Sequence, residues 1–229
     1  MVESSSASSG KKYVIFGATG NTGLQLVQQS LALGHHVTAY IRNPDKLTAA
    51  LPEEAKKVNI VKGELDNLEE MEKAIQGQDA VIISLGGRGL FSRDTTCSIG
   101  TKAIIEVMKK TGVKKMSVVS SYGVGPGNRA LLGWAIRAML YHPLADKDEQ
   151  EDFIMKSGLD YTILRPPRLM DVPAKGNIHA TVSGRLPTME ISRADVAAFL
   201  LQSLAENTFV NQAVSISWAP NTPSEAPKA

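Results

Sequence analysis

A chain of 229 residues, 43% hydrophobic and 21% charged, has the composition of one soluble globular domain large enough to bury a core unaided, which excludes collagen-like, disordered and disulfide-scaffold classes. Its 25 basic and 23 acidic side chains leave a net charge of +2, too balanced for a nucleic-acid surface. The single Cys97 and four histidines exclude an internal disulfide and offer little for a metal site, so a reducing, cytoplasmic setting without a metal is expected.

The serine-rich residues 1–10 lack the basic and apolar regions of a signal peptide and read as a disordered tail. The domain is expected over 11–219, with proline-rich 220–229 as a flexible tail, and no run approaches the ~20 apolar residues of a membrane span. Within it, apolar runs at Tyr13–Phe16, His36–Ile41, Val58–Val61, Ala80–Ser84, Met116–Ser120, Tyr161–Leu164 and Ala213–Ser217 read as strands. They alternate with helical patterns at Thr22–Ala32, Leu68–Ile75, Thr96–Lys110, Leu131–Met155 and Ile191–Leu204. This alternation predicts an α/β single-domain Rossmann fold, a doubly wound, mostly parallel sheet with helices on both faces. The segment Ala174–Gly184 keeps neither period and reads as a small hairpin or loop near the carboxyl ends of the strands. Leu131–Leu140 is apolar enough for a core helix, a lid or a contact with another chain.

The first strand runs into Gly17-Ala-Thr-Gly20-Asn-Thr-Gly23 and then a helix. Gly17 permits the sharp exit, Gly20 lets backbone approach a pyrophosphate, and Gly23 brings the helix close to the sheet. Thr19, Asn21 and Thr22 add donors at the helix N-terminus, whose dipole favours anions. The second strand ends on Arg42-Asn43 rather than on the acid that would hold the ribose 2′-OH of NAD. A guanidinium there suits the 2′-phosphate of NADPH, with Asn43 and Lys46 as helpers. Glu64 and Leu65 after the third strand flank the adenine side. Leu85, Gly86, Gly87 and the following Arg88 bring backbone to the adenosine ribose, and Ser120 ends the fifth strand on the same edge.

Together, GATGNTG, Arg42, the GELDN and SLGGRG turns, the SSYG strand end and SGLDYTILRPPRL resemble the atypical short-chain dehydrogenase/reductases with NmrA-like NAD(P)-binding domains, and among them most closely the NADPH-dependent biliverdin/flavin reductases. The resemblance implies NADPH as cofactor and hydride transfer to flavins, biliverdins or other conjugated acceptors. It places Gly17, Thr19, Gly20, Asn21, Thr22 and Gly23 at the phosphates, Arg42 at the 2′-phosphate, and Ser121 facing nicotinamide and substrate. Pro166 and Pro167 match paired prolines after the sixth strand. Those reductases carry a histidine next, where this chain has Arg168.

Orthodox short-chain dehydrogenases pair a Tyr with a Lys four residues later, so that the ammonium lowers the phenol pKa. Tyr141 and Lys147 are six apart, with Pro143 between them, and do not share a helix face. The candidate catalytic residues are therefore Ser121, Tyr122 as a donor, and Lys147 reaching the nicotinamide ribose. Lys147 lies in the charged run Asp146–Glu151, which reads first as a solvated helix face. Arg165 or Arg168 is expected to attract a substrate anion. Cys97 reads as a buried small hydrophobe, and Ser192-Arg-Ala-Asp195 as a capping box with Asp195 structural. A small-molecule reductase, monomeric or weakly oligomeric, is the leading reading. A non-catalytic dinucleotide sensor, or an NADP-dependent reductase or isomerase of another small molecule, is the alternative.

Overall fold

The computed structural model describes residues 10–87, 94–125, 140–183 and 185–220. Its first half runs β1 (Lys12–Phe16), α1 (Asn21–Ala32), β2 (His36–Ile41), α2 (Pro44–Ala50), α3 (Pro52–Ala55), β3 (Asn59–Lys62), α4 (Leu68–Ile75) and β4 (Ala80–Ile83). The second half follows as α5 (Thr96–Thr111), β5 (Lys115–Val119), α6 (Tyr141–Met155), β6 (Asp160–Arg165), β7 (Arg168–Met170), β8 (Ile178–Thr181), β9 (Glu190–Ser192), α7 (Arg193–Glu206) and β10 (Gln212–Trp218).

Eight strands form one sheet in the order β3-β2-β1-β4-β5-β6-β10-β8. All of its pairs are parallel except β10 with β8. The chain winds outward from β1 to β3 and then returns to β4 beside β1, so a crevice opens at the carboxyl ends of those two strands, where doubly wound sheets bind ligands. Val14, Ile15 and Phe16 of β1 are fully buried because both faces of the strand are covered. Ile15 packs in a cluster with Leu26, Val27, Leu200 and Val214, and Phe16 in the opposite one with Met71, Ile104, Met108 and Ile154. Burying such side chains contributes ~1.5–3 kcal/mol each. Among the described residues no helix is long and apolar enough to cross a membrane.

The Rossmann expectation holds, and the seven expected parallel strands form. The segment 174–184, read as a small hairpin or loop, begins as a loop and then adds a strand to the main sheet. Gly176 makes a turn at positive φ, and 178–181 then pairs antiparallel to β10, with Ile178 opposite Trp218. The addition covers what would otherwise be an open sheet edge. Of the apolar 131–140 stretch, positions 131–139 lie outside the described residues, and the helix expected there is described from Tyr141 onward.

Helix α7 begins at Arg193 because Ser192 caps it, its hydroxyl accepting from Asp195 N–H at 2.9 Å. The Asp195 carboxylate accepts from the Ser192 hydroxyl and Trp218 Nε1, both at 2.7 Å, and from the backbone of Lys175 and Gly176. It thereby ties α7, β10 and the loop before β8 together. Burial pushes the Asp195 carboxyl upward, but these donors outweigh it and hold it below the ordinary carboxylate value. A depressed folded pKa contributes stability that is complete above the unfolded value of ~3.9 and is lost as pH falls through the folded one. Asp195→Asn is therefore expected to cost about 1.5–3 kcal/mol at neutral pH and to flatten the acid limb of a Tm-against-pH profile. An unchanged acid limb in the variant would show that Asp195 does not contribute that dependence.

Candidate active site

The crevice is a cleft of about 940 Å³ along the carboxyl edge of the sheet. Its floor is the glycine loop. Gly17 has a φ of +81°, and a Cβ there would lie 2.4 Å from the Ser84 carbonyl oxygen, so only glycine makes this exit from β1 beside β4. Gly20 N–H donates to Gly17 O at 3.0 Å. A Cβ on Gly23 would lie 2.1 Å from that same oxygen, which shows how closely α1 packs on the loop. Gly20 differs: a Cβ there would meet only Gly17 O, at 3.4 Å, and otherwise enter open space. Helix α1 has no side-chain cap and no acid in its first turn. Its first amides are therefore left open toward the cleft by the helix's own side chains, a surface that fits a pyrophosphate.

Thr19, Gly20, Asn21 and Thr22 line this floor, with Arg42 and Lys46 at one end. Arg42 Nε lies 3.9 Å from Glu64 Oε2, both side chains more than half exposed. Glu64 and Leu65 are held by Tyr40, whose hydroxyl donates to Glu64 O at 2.6 Å and to Asn67 O at 3.1 Å. Burial first, then the nearby Glu70, Asp66 and Glu64, push this phenol up to about 12, so it stays a neutral donor. Leu85, Gly86 and Gly87 complete the wall. Arg88 lies outside the described residues.

At the other end stand Ser120 and Lys147. Lys147 Nζ donates to Val119 O at 3.1 Å and Leu85 O at 3.4 Å, which fixes it beneath the ends of β5 and β4. The solvated charged face read from Asp146–Glu151 is thus corrected. Asp146, Gln150 and Glu151 are buried because α6 packs along α5. Asp146 accepts from the N–H groups of Cys97 and Ser98, capping α5, and Gln150 donates to Thr101. Glu151 accepts from the Ser120 hydroxyl at 2.5 Å and pairs with buried Arg165. Arg165 is consumed by that pair and is not free to take a substrate anion.

The other candidates spread out. Ser121 donates to its neighbour's carbonyl, Tyr122 O, at 3.4 Å, and the Tyr122 ring is buried with Val124, Leu144 and Leu186. Neither lines the cleft. Pro166 is buried and accepts from Tyr122 N–H at 2.8 Å, joining the ends of β5 and β6 from outside the cleft wall. Arg168 is exposed and pairs with Glu190 at 3.1 Å, also away from the wall. Burial pushes the Cys97 thiol up to about 11, which suits a packing residue rather than a nucleophile. Sequence reasoning missed Ile99, Leu169 and Arg193, which also line the cleft. Arg193 sat inside the capping motif, and the signal that marks it is a helix beginning at the carboxyl edge of the sheet.

A family model described as NAD(P)H-binding matches residues 17–207. An uncharacterized chloroplastic protein of Arabidopsis thaliana is 31% identical over 215 residues, covering 89% of this chain and 75% of its own length. ChuY from Escherichia coli O157:H7, described as an anaerobilin reductase, superposes with a TM-score of 0.80 at 24% identity over 93% of this chain and 100% of that one. A short-chain dehydrogenase/reductase of Veillonella parvula in complex with NADP gives a TM-score of 0.76 at 21% identity, over 96% and 99%. At these identities the two structures show a common fold. The expected NAD(P)-binding family membership is met. Since the glycine loop, the open end of α1 and the cleft wall from Gly17 to Arg193 all fall within the matched span, the chain belongs to the NAD(P)H-binding family, on a Rossmann fold.

Proposed function

We propose that the chain is an NADPH-dependent reductase passing hydride to a conjugated small molecule, a flavin or a biliverdin-type tetrapyrrole. The observation that carries this reading is the pairing of Lys147 with Pro143. Lys147 reaches the cleft from α6, and the residue one turn before it, where a carbonyl reductase needs its phenol, is a proline with nothing to donate. Gly20, Asn21 and Thr22 would hold the pyrophosphate, Arg42 and Lys46 the 2′-phosphate, Glu64 and Leu65 the adenine, and Ser120 and Lys147 the nicotinamide end. NADPH supplies the hydride. The protein's part is then orientation and exclusion of water, which suffices for acceptors that spread incoming charge over a conjugated system and take their proton from solvent.

Two results are expected. NADPH oxidation against a panel of flavins, biliverdin isomers and quinones should show turnover with at least one of them. Tight NADPH binding without oxidation by any would replace the reading with a dinucleotide sensor. Ser121→Ala, Tyr122→Phe and Lys147→Ala should each lower steady-state turnover by roughly tenfold or less, whereas loss of a positioned general acid costs ~10²–10⁴-fold. A thousandfold loss in Tyr122→Phe alone would contradict donor-free transfer.

A further inference from the structure

Four cationic side chains among the described residues line the cleft: Arg42, Lys46, Lys147 and Arg193. The first two stand at the end of β2, and Lys147 donates to two backbone carbonyls. Arg193, the first residue of α7, lines the cleft together with Leu169. Its Nη1 pairs with Asp171 Oδ1 at 2.7 Å and donates to Leu169 O at 3.4 Å. The other oxygen of Asp171 accepts from Asn21 Nδ2 at 3.4 Å. Asn21 is the first residue of α1, next to Gly20. A carboxylate of the chain thus sits between a guanidinium and the opening residue of an uncapped helix, the position that suits an anion.

We propose that Arg193 is a pyrophosphate-binding residue and that Asp171 is its built-in competitor, holding the guanidinium until a dinucleotide displaces it. The inference rests on the reading of the cleft as an NADPH site, not on the identity of the acceptor. The Arg193 side chain is 22% exposed, whereas Asp171 is 64% exposed, so the carboxylate can return to water at little cost. A planar guanidinium matches phosphate oxygens through two parallel N–H bonds, and a pyrophosphate offers it more charge than one carboxylate. Asp171 and the pyrophosphate would repel each other beside Asn21, so one excludes the other.

Calorimetric titration of the full chain with NADP⁺ and with adenosine 2′-monophosphate, which carries the 2′-phosphate but no pyrophosphate, tests this. Arg193→Gln should weaken NADP⁺ binding about 10- to 100-fold and leave adenosine 2′-monophosphate unchanged. Asp171→Asn should tighten NADP⁺ about two- to fivefold, again without effect on the fragment. Equal losses for both probes in Arg193→Gln, or unchanged NADP⁺ affinity with only the acceptor KM raised, would overturn the assignment. If Arg193→Gln does not fold, Asp171→Asn decides, and weaker NADP⁺ binding there would overturn the competitor. Variants that show these affinity shifts, in a protein whose wild type passes no hydride to any acceptor of the panel, would end the reductase reading and leave this one standing.

Discussion

Gly20→Val is expected to remove dinucleotide binding, by about 100-fold or more, while the fold persists. Gly20 has φ −79° and ψ 160°, extended backbone that a β-branched residue adopts without strain. A Cβ there meets nothing but Gly17 O at 3.4 Å, so the valine methyls project into the cleft, over the amides at the start of α1 where the pyrophosphate would rest. Neighbouring glycines would not give so clean a test. Side chains at Gly17 or Gly23 collide with backbone at 2.4 and 2.1 Å and would disturb the packing of α1 itself. Calorimetric titration with NADPH, beside a circular-dichroism melt, makes the check. Wild-type affinity in a folded variant would contradict the placement of the pyrophosphate.

Arg42→Ala is expected to weaken NADPH binding about 10- to 150-fold, the worth of one hydrogen-bonded charge at ~1.5–3 kcal/mol, and to leave NADH nearly unchanged. The Arg42–Glu64 pair is long and exposed, so its loss costs the fold little. The substitution also leaves the Glu64 carboxylate uncompensated beside the incoming 2′-phosphate, which adds to the loss. Titration of both nucleotides distinguishes the outcomes. Equal losses for NADPH and NADH would take Arg42 out of cofactor discrimination.

What was legible in the sequence follows from how each signal is written. Parallel strands buried on both faces are continuous apolar runs, and His36–Ile41 has the same bounds in sequence and structure. The glycine spacing is local and imposed by backbone contact, so Gly17 and Gly23 could be read directly. The charged run 146–151 misled because a helix packed through buried polar side chains has no apolar period. Asp146 caps another helix and Glu151 meets Arg165 from β6, partners that sequence order does not bring together. Helices α2 and α3 are short, and β7 with β9 forms only a three-residue parallel pair, too little length for periodicity to register. Arg193 reaches the cleft only because α7 starts at the sheet's carboxyl edge, a tertiary fact.

Hydride delivery without a side-chain proton donor is tested most directly by single-turnover oxidation of bound NADPH, comparing FMN and biliverdin with an unconjugated ketone of similar size. We expect oxidation by at least one conjugated acceptor and none above background by the ketone, since Pro143 occupies the place of the phenol that ketone reduction requires. Ketone reduction as fast as that of the conjugated acceptors would contradict the mechanism.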